Sequence, residues 1–206
     1  LNLLTFIFVI HLFLENYPEI TAKYNNQKEL VLVNPGGGGI LTGLATMVDR
    51  VYPAVFVVLK ALTPPDYKIT EFNRVRWHPH YYQRGKLVAI TCYTSNSAEA
   101  YKLAKEFKRH GSTVIMGGPH VTYMTDEALQ FCDSVVVGEA EGIWPQILKD
   151  YENNGLKPTY TGASMEEYHK VVHQYLLKSS PAIIKSFLET TRGCKFKCHF
   201  CVVPSL

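Results

Sequence analysis

The chain has 206 residues, 47% of them hydrophobic and 19% charged, enough apolar material for one sizeable core and the start of a second. A net charge of +3, a pI near 8.5 and no block of Lys and Arg exclude the basic stripe by which proteins grip nucleic-acid phosphates. Five cysteines, three of them within eight residues near the C-terminal end, exclude a secreted disulfide framework. That clustering favours a metal site in a reducing cytosol, so a cytoplasmic location is expected.

Residues 1–14 (LNLLTFIFVIHLFL) are almost wholly apolar, yet fall short of the ~20 residues a membrane-spanning helix needs. The chain starts on Leu, and no Lys or Arg precedes Lys23, so the charged front of a signal peptide is missing. A helix packed on the body, or a non-native extension, is expected ahead of a membrane anchor, and residues 1–28 are set apart as an extension. Association with a membrane surface stays open.

From Glu29 the pattern is regular. Glu29 to Asn34 is a short run rich in β-branched residues that Pro35 and Gly36 to Gly39 end, which reads as a buried strand entering a tight loop. Leu44 to Leu62 is apolar enough for a helix that Pro53 must begin, kink or split. Tyr67 to Phe72 alternates like a strand, and Lys86 to Thr91 is another buried strand. Ala98 to Arg109 places Ala100, Leu103, Ala104 and Phe107 on one helix face. Ser112 to Met116 reads as a strand ended by Gly117-Gly118-Pro119, and Thr125 is placed to cap a short helix through Phe131. Ser134 to Val137 is a last strand, and Gly142 to Tyr151 a closing helix. Five strands alternating with helices predict an α/β fold, a flavodoxin-like doubly wound parallel sheet over residues 29–158. Such a sheet binds ligands beyond the carboxyl ends of its strands. Residues 159–182 read as a linker with some helix. Within 183–206, Ile183 to Leu188 is a new strand candidate leading to the cysteines, so a second domain begins there and is not completed.

Cys194, Cys198 and Cys201 have the spacing Cys-x-x-x-Cys-x-x-Cys. A short loop of this kind can wrap three thiolates around one small cluster, since soft sulfur ligands select iron–sulfur clusters or zinc. Structural zinc wants a fourth ligand; His199 could supply it, but lies between two of the thiolates and would strain the loop. Structural zinc and unliganded thiols are the bland alternatives to an iron–sulfur cluster.

The stretch Thr190 to Cys201 (TTRGCKFKCHFC) resembles the cluster-binding signature of the radical S-adenosylmethionine superfamily, at the end of the first strand of its β/α barrel. The resemblance implies a 4Fe-4S cluster on the three cysteines, with S-adenosyl-L-methionine chelating the open iron and Phe200 close to its adenine. It further implies cleavage of a carbon–sulfur bond to methionine and a 5′-deoxyadenosyl radical. It implies an electron donor such as flavodoxin or ferredoxin.

The upstream strand ends carry four loops: Asn34-Pro35-Gly36; Thr91 with Thr94 and Ser95; Gly117-Gly118-Pro119-His120 with Thr122; and Gly138-Glu139-Ala140-Glu141. Glycine lets backbone approach a ligand, and hydroxyls can bond amide-rich or phosphate-bearing groups. Any one such loop is ordinary turn chemistry; four at one sheet edge point to a site. Residues 29 to 160, above all GGPHVT and VVVGEAEGIWP, resemble the cobalamin-binding domain at the front of many radical S-adenosylmethionine enzymes. By that resemblance these loops surround the nucleotide tail and one corrin face, with His120 a polar contact in the tail pocket; the alternative for His120 is a partly exposed turn histidine. Cobalamin methyltransferases with an Asp-x-His-x-x-Gly motif offer its histidine as lower cobalt ligand. This sequence has no Asp-x-His, and His78-Pro79-His80 reads as a solvated loop, so no histidine of that motif is expected on cobalt.

The function these likenesses imply is the front part of an enzyme that methylates an unactivated carbon. A radical rearrangement, cyclisation or oxidation is the second reading, and a cobalamin or cluster carrier without turnover the third. On either enzyme reading this chain alone is expected to catalyse nothing, and its small-molecule or lipid substrate is not legible.

Overall fold

A computed structural model describes residues 28–36, 53–75, 86–162 and, in the cysteine segment, 194, 196, 198, 199 and 201. The apolar N-terminal stretch, Gly37 to Gly39, the beginning of the helix read from Leu44, His78 and His80, the strand candidate at Ile183 and Phe200 lie outside the described residues.

Strand β1 (Lys28–Pro35) is followed by helix α1 (Ala54–Leu62) and strand β2 (Tyr67–Val75). Then come β3 (Leu87–Thr91), a 3-10 turn (Thr94–Asn96), α2 (Ser97–Arg109) and β4 (Thr113–Gly117). Two short helices, α3 (Pro119–Tyr123) and α4 (Thr125–Ala128), lead to β5 (Ser134–Val137), α5 (Trp144–Glu152) and β6 (Thr159–Thr161). The strands form one six-stranded sheet in the order β2-β1-β3-β4-β5-β6, every neighbouring pair parallel. The first five follow the flavodoxin-like order, which reverses direction between β1 and β3.

Period-2 alternation splits each central strand between two cores. Val31, Val33, Val88, Ile90, Val114, Met116 and Val135 face one side, where Ala100, Leu103, Ala104 and Phe107 of α2 cover them together with Val121 and Ala128. Leu30, Leu32, Leu87, Ala89, Ile115 and Val136 face the other, under Phe56, Val58, Leu59 and Leu62 of α1 and Trp144, Ile147 and Leu148 of α5. Within that second layer α1 and α5 are tied: the Trp144 indole Nε1–H donates to Thr63 Oγ1 at 3.0 Å, and that hydroxyl donates to Leu59 O at 2.6 Å. Helix α2 carries Glu99 in its first turn and Lys108 and Arg109 in its last, as the helix dipole favours. It closes in a Schellman turn, Ser112 N donating to Phe107 O and Gly111 N to Lys108 O.

Three sequence expectations change. The sheet has six strands, not five, because Thr159–Thr161, read as the start of a linker, pairs with β5. Its period is too short to see in sequence, but Tyr160 is buried and its hydroxyl donates to Asp150 Oδ2 at 2.8 Å. Thr125 does not cap a helix: Met124 precedes α4, and the Thr125 hydroxyl donates back to Val121 O at 3.0 Å. The segment read as a loop through Pro119-His120-Val121-Thr122 is itself helical, with Pro119 in its first turn where a missing N–H costs nothing. Pro53 begins α1, the first of the three roles open to it.

Candidate functional site

Parallel pairing puts all the carboxyl ends on one edge. Thr91 lies in register with Gly117, Gly117 with Val136, and Val137 with Thr161. The carboxyl ends of β1, β3, β4 and β5 therefore share one edge, and every expected cobalamin contact, from Asn34 to Glu141, sits at these strand ends, in the turns after them or in α3. Strand order reverses between β1 and β3, the place where sheets of this kind bind a ligand in a crevice.

Asn96 ties the two sides of that crevice. Its Nδ2 donates to Pro35 O at 3.2 Å, and its Oδ1 accepts from Tyr93 N at 2.8 Å. At the outer side of β1, Asn34 Nδ2 donates to Asn73 Oδ1 at 2.8 Å. Beyond the Asn96 clamp, Tyr93, Thr94 and Ser95 are exposed while Asn96 is buried. The sequence reading passed over Asn96, although an Asn directly before a helix is a recognisable signal. Here its side chain leaves the helix uncapped and joins two loops instead.

The loops after β3 and β4 are sewn together through Cys92. Its N–H donates to Gly117 O at 2.8 Å, and its carbonyl accepts from His120 N at 3.2 Å. Burial, with a smaller push from Glu127, drives the Cys92 thiol up to about 12, so it is an inert packing group. Gly118 is needed for the protein's own packing: at φ +108° a Cβ there would stand 2.8 Å from the Cys92 carbonyl oxygen. Thr122 carries the tie onward. Its hydroxyl donates to Gly118 O at 3.0 Å and accepts from Gly138 N at 3.0 Å, linking the third loop to the fourth. At Gly138 (φ +79°) a Cβ would meet nothing within 4 Å, so this turn leaves bare backbone beside open space. Glu139 backs against Gly162, whose N–H donates to Val137 O at 2.8 Å, and Glu141 is buried.

His120 is half-buried, and both ring nitrogens are engaged. Nδ1 lies 3.2 Å from Thr94 Oγ1, and Nε2 lies 3.1 Å from the Tyr101 hydroxyl. Tyr101, on α2, is buried and stacked on Phe131 at 4.2 Å between ring centroids. Burial first, and then the nearby negative charge of Glu127, raise its pKa well above the ordinary tyrosine value. Neither Tyr101 nor Glu127 was picked out from sequence, since both lie in helices away from any loop motif.

In the cysteine segment all three thiols are free; Cys194 and Cys198 are exposed and Cys201 is half-buried. Cys201 N donates to Cys198 O at 3.1 Å. Among the described residues no group of three or more His, Cys, Asp and Glu is brought together in a ready metal site. The donor chemistry of three thiols at this spacing fits an iron–sulfur cluster. No helix among the described residues is long and apolar enough to cross a membrane.

Residues 83–148, which hold three of the four loops, match the B12 binding domain family. The chain is 33% identical over 158 residues to bacteriochlorophyllide d C-8(2)-methyltransferase of Chlorobaculum tepidum, covering 72% of this chain and 35% of that protein. It is 31% identical over 199 residues to bacteriochlorophyllide d C-12(1)-methyltransferase of the same organism, covering 91% of this chain and 42% of that protein. An uncharacterized methyltransferase of Pyrococcus horikoshii is 30% identical over 141 residues. The chain thus spans well under half the length of these curated relatives.

Proposed function

We propose that this chain, which carries a B12-binding domain and is a distant homologue of the bacteriochlorophyllide methyltransferases, is part of a cobalamin-dependent radical S-adenosylmethionine enzyme that methylates an unactivated carbon. The observation that carries the reading is the presence on one chain of a B12-binding domain and the triplet Cys194, Cys198, Cys201. When bound, cobalamin supplies the methyl group, and the 4Fe-4S cluster with S-adenosylmethionine supplies the radical that opens a C–H bond.

The chain's own part is to hold and orient. The crevice loops after β1, β3, β4 and β5 present backbone at Gly36, Gly117 and Gly138 and hydroxyls at Thr91, Thr94 and Ser95 to the amide-rich rim and tail of cobalamin. Space beside Gly138 and the rigid ties through Asn96 and Thr122 suit a large planar ligand seated against preformed loops. The three thiolates would hold the cluster, and a flavodoxin or ferredoxin would deliver the electron. Because the named relatives act on bacteriochlorophyllide, a tetrapyrrole macrocycle is the first substrate class to test.

Titrating the full chain with hydroxocobalamin tests the reading. Saturable binding at micromolar concentration, followed by its visible spectrum, is expected. The cobalt(II) form should show no nitrogen superhyperfine splitting from a protein histidine. A folded chain that binds nothing at high micromolar concentration reduces the likeness to shared fold.

A further inference from the structure

Strands β1 and β3 are neighbours, yet the helices that follow them pack on opposite faces, α1 after β1 on one core and α2 after β3 on the other. Their ladder ends at Val33 and Ile90, so the strand ends beyond it need another fastening. Asn96 supplies one. Its backbone N–H donates to Tyr93 O at 3.0 Å and its Oδ1 accepts from Tyr93 N at 2.8 Å, which closes the exposed turn of Tyr93, Thr94 and Ser95 on itself. Its Nδ2 then crosses to Pro35 O at 3.2 Å. The amide can face only one way, because a carbonyl only accepts and a backbone N–H only donates. The span therefore needs one donor and one acceptor on a single short side chain. Ionised Asp offers no donor there, and Leu offers neither. Asn96 is 7% exposed and Pro35 is buried, so removing the amide strips the Pro35 carbonyl of a buried partner.

We infer that Asn96 is a positioning residue for the ligand: its cross-strand bond sets the turn of Thr94 and Ser95 against Pro35 and Gly36 before the ligand arrives, and so governs how fast the ligand is captured. The identity of that ligand rests on the cobalamin reading. Being buried, Asn96 acts through the two strand ends it joins. A group that preforms a seat raises the fraction of molecules ready to bind. Its loss lowers the association rate by that fraction and leaves departure of the seated ligand little changed. Loss of a direct contact acts the other way and speeds dissociation. A weaker fold as such does neither, since the molecules that stay folded bind as before.

The test uses the full chain in two arms. In stopped-flow mixing with hydroxocobalamin, Asn96→Asp should associate roughly 3- to 10-fold more slowly than wild type, the range of one neutral hydrogen bond, with dissociation little changed. That variant keeps the acceptor for Tyr93 N and loses the donor to Pro35 O. Asn96→Leu, similar in shape and uncharged, should slow association at least as much, which excludes the added charge as the cause. The second arm needs no variant. In nitrogen-15 spectra of the cofactor-free wild type, the Asn96 side-chain NH2 should exchange more slowly than that of exposed Asn154. An Asn96 amide that exchanges as fast as that of Asn154 overturns the inference and leaves the cobalamin reading standing. So does an unchanged association rate in the folded variants, or a loss of affinity found wholly in dissociation. A folded wild-type chain that binds no hydroxocobalamin overturns both.

Discussion

A Cβ added to Gly118 would stand 2.8 Å from the carbonyl oxygen of Cys92 and 3.1 Å from its nitrogen, on a backbone at φ +108° and ψ 176°. That region is open to glycine almost alone, and the neighbour is backbone that cannot swing aside. Gly118→Ala should therefore destabilise the fold by at least about 1–3 kcal/mol from backbone strain alone. Gly117→Ala, whose Cβ would meet Val136 Cβ at an ordinary 3.6 Å, should cost much less. Urea denaturation of both decides it. Equal stabilities would return Gly118 to the role of a ligand-facing glycine.

Thr122 acts as a hinge pin between two loops. Thr122→Val keeps the shape but strands the Gly138 N–H and removes a donor from Gly118 O. A loss of about 1–3 kcal/mol is expected, with Thr122→Ser close to wild type. The Gly138 amide should exchange with deuterium faster in the valine variant, and an unchanged rate would show that the bond carries no weight.

The sheet edge can be tested by shortening the chain. Ending after Gly162 should preserve a cooperative fold, whereas ending after Pro158 removes buried Tyr160 and its bond to Asp150. Loss of that side chain's burial alone is worth about 1.5–3 kcal/mol. Identical unfolding midpoints would restore the boundary at Pro158.

Two thiols should set an alkaline limit on stability. Cys92 is pushed up to about 12 and Cys132 to about 11, both chiefly by burial, from an ordinary 9.0. The folded state holds these protons more tightly, so their contribution is complete below about pH 9 and declines as pH rises toward about 12. The urea midpoint should fall through that window, and less steeply in Cys92→Ala/Cys132→Ala. Tyr67 and Tyr101, also raised by burial, keep part of the slope. A thiol reagent at about pH 8 should reach exposed Cys194 and Cys198 at once and Cys92 and Cys132 only on unfolding.

Anaerobic reconstitution should load roughly four irons per chain with broad visible absorption. Cys198→Ala should abolish both, and Cys92→Ala or Cys132→Ala neither, since those two are buried in the sheet layer. Equal iron in a triple variant lacking Cys194, Cys198 and Cys201 would remove the cluster.

Local pattern was enough for the first five strands and for the sheet edge on which they end. Strands such as Leu87–Thr91 are buried on both faces, so each reads as an unbroken apolar run, and glycine and proline mark where it stops. Parallel connectivity then sends every one of those stops to the same edge, which is why the four loops were legible together. The spacing of Cys194, Cys198 and Cys201 is legible in the sequence, and the reconstitution decides between a cluster, zinc and free thiols. Contacts between distant segments were not legible. Asn96 reaches Pro35, Thr122 reaches Gly138, and Tyr101 reaches His120 only once β1, β3, β4 and β5 lie side by side. β6 is three residues long and gains its identity from the neighbour it pairs with, not from a period of its own. Sequence shows only that Gly118 lacks a side chain, while the packed sheet shows that the Cys92 backbone stands where a Cβ would go.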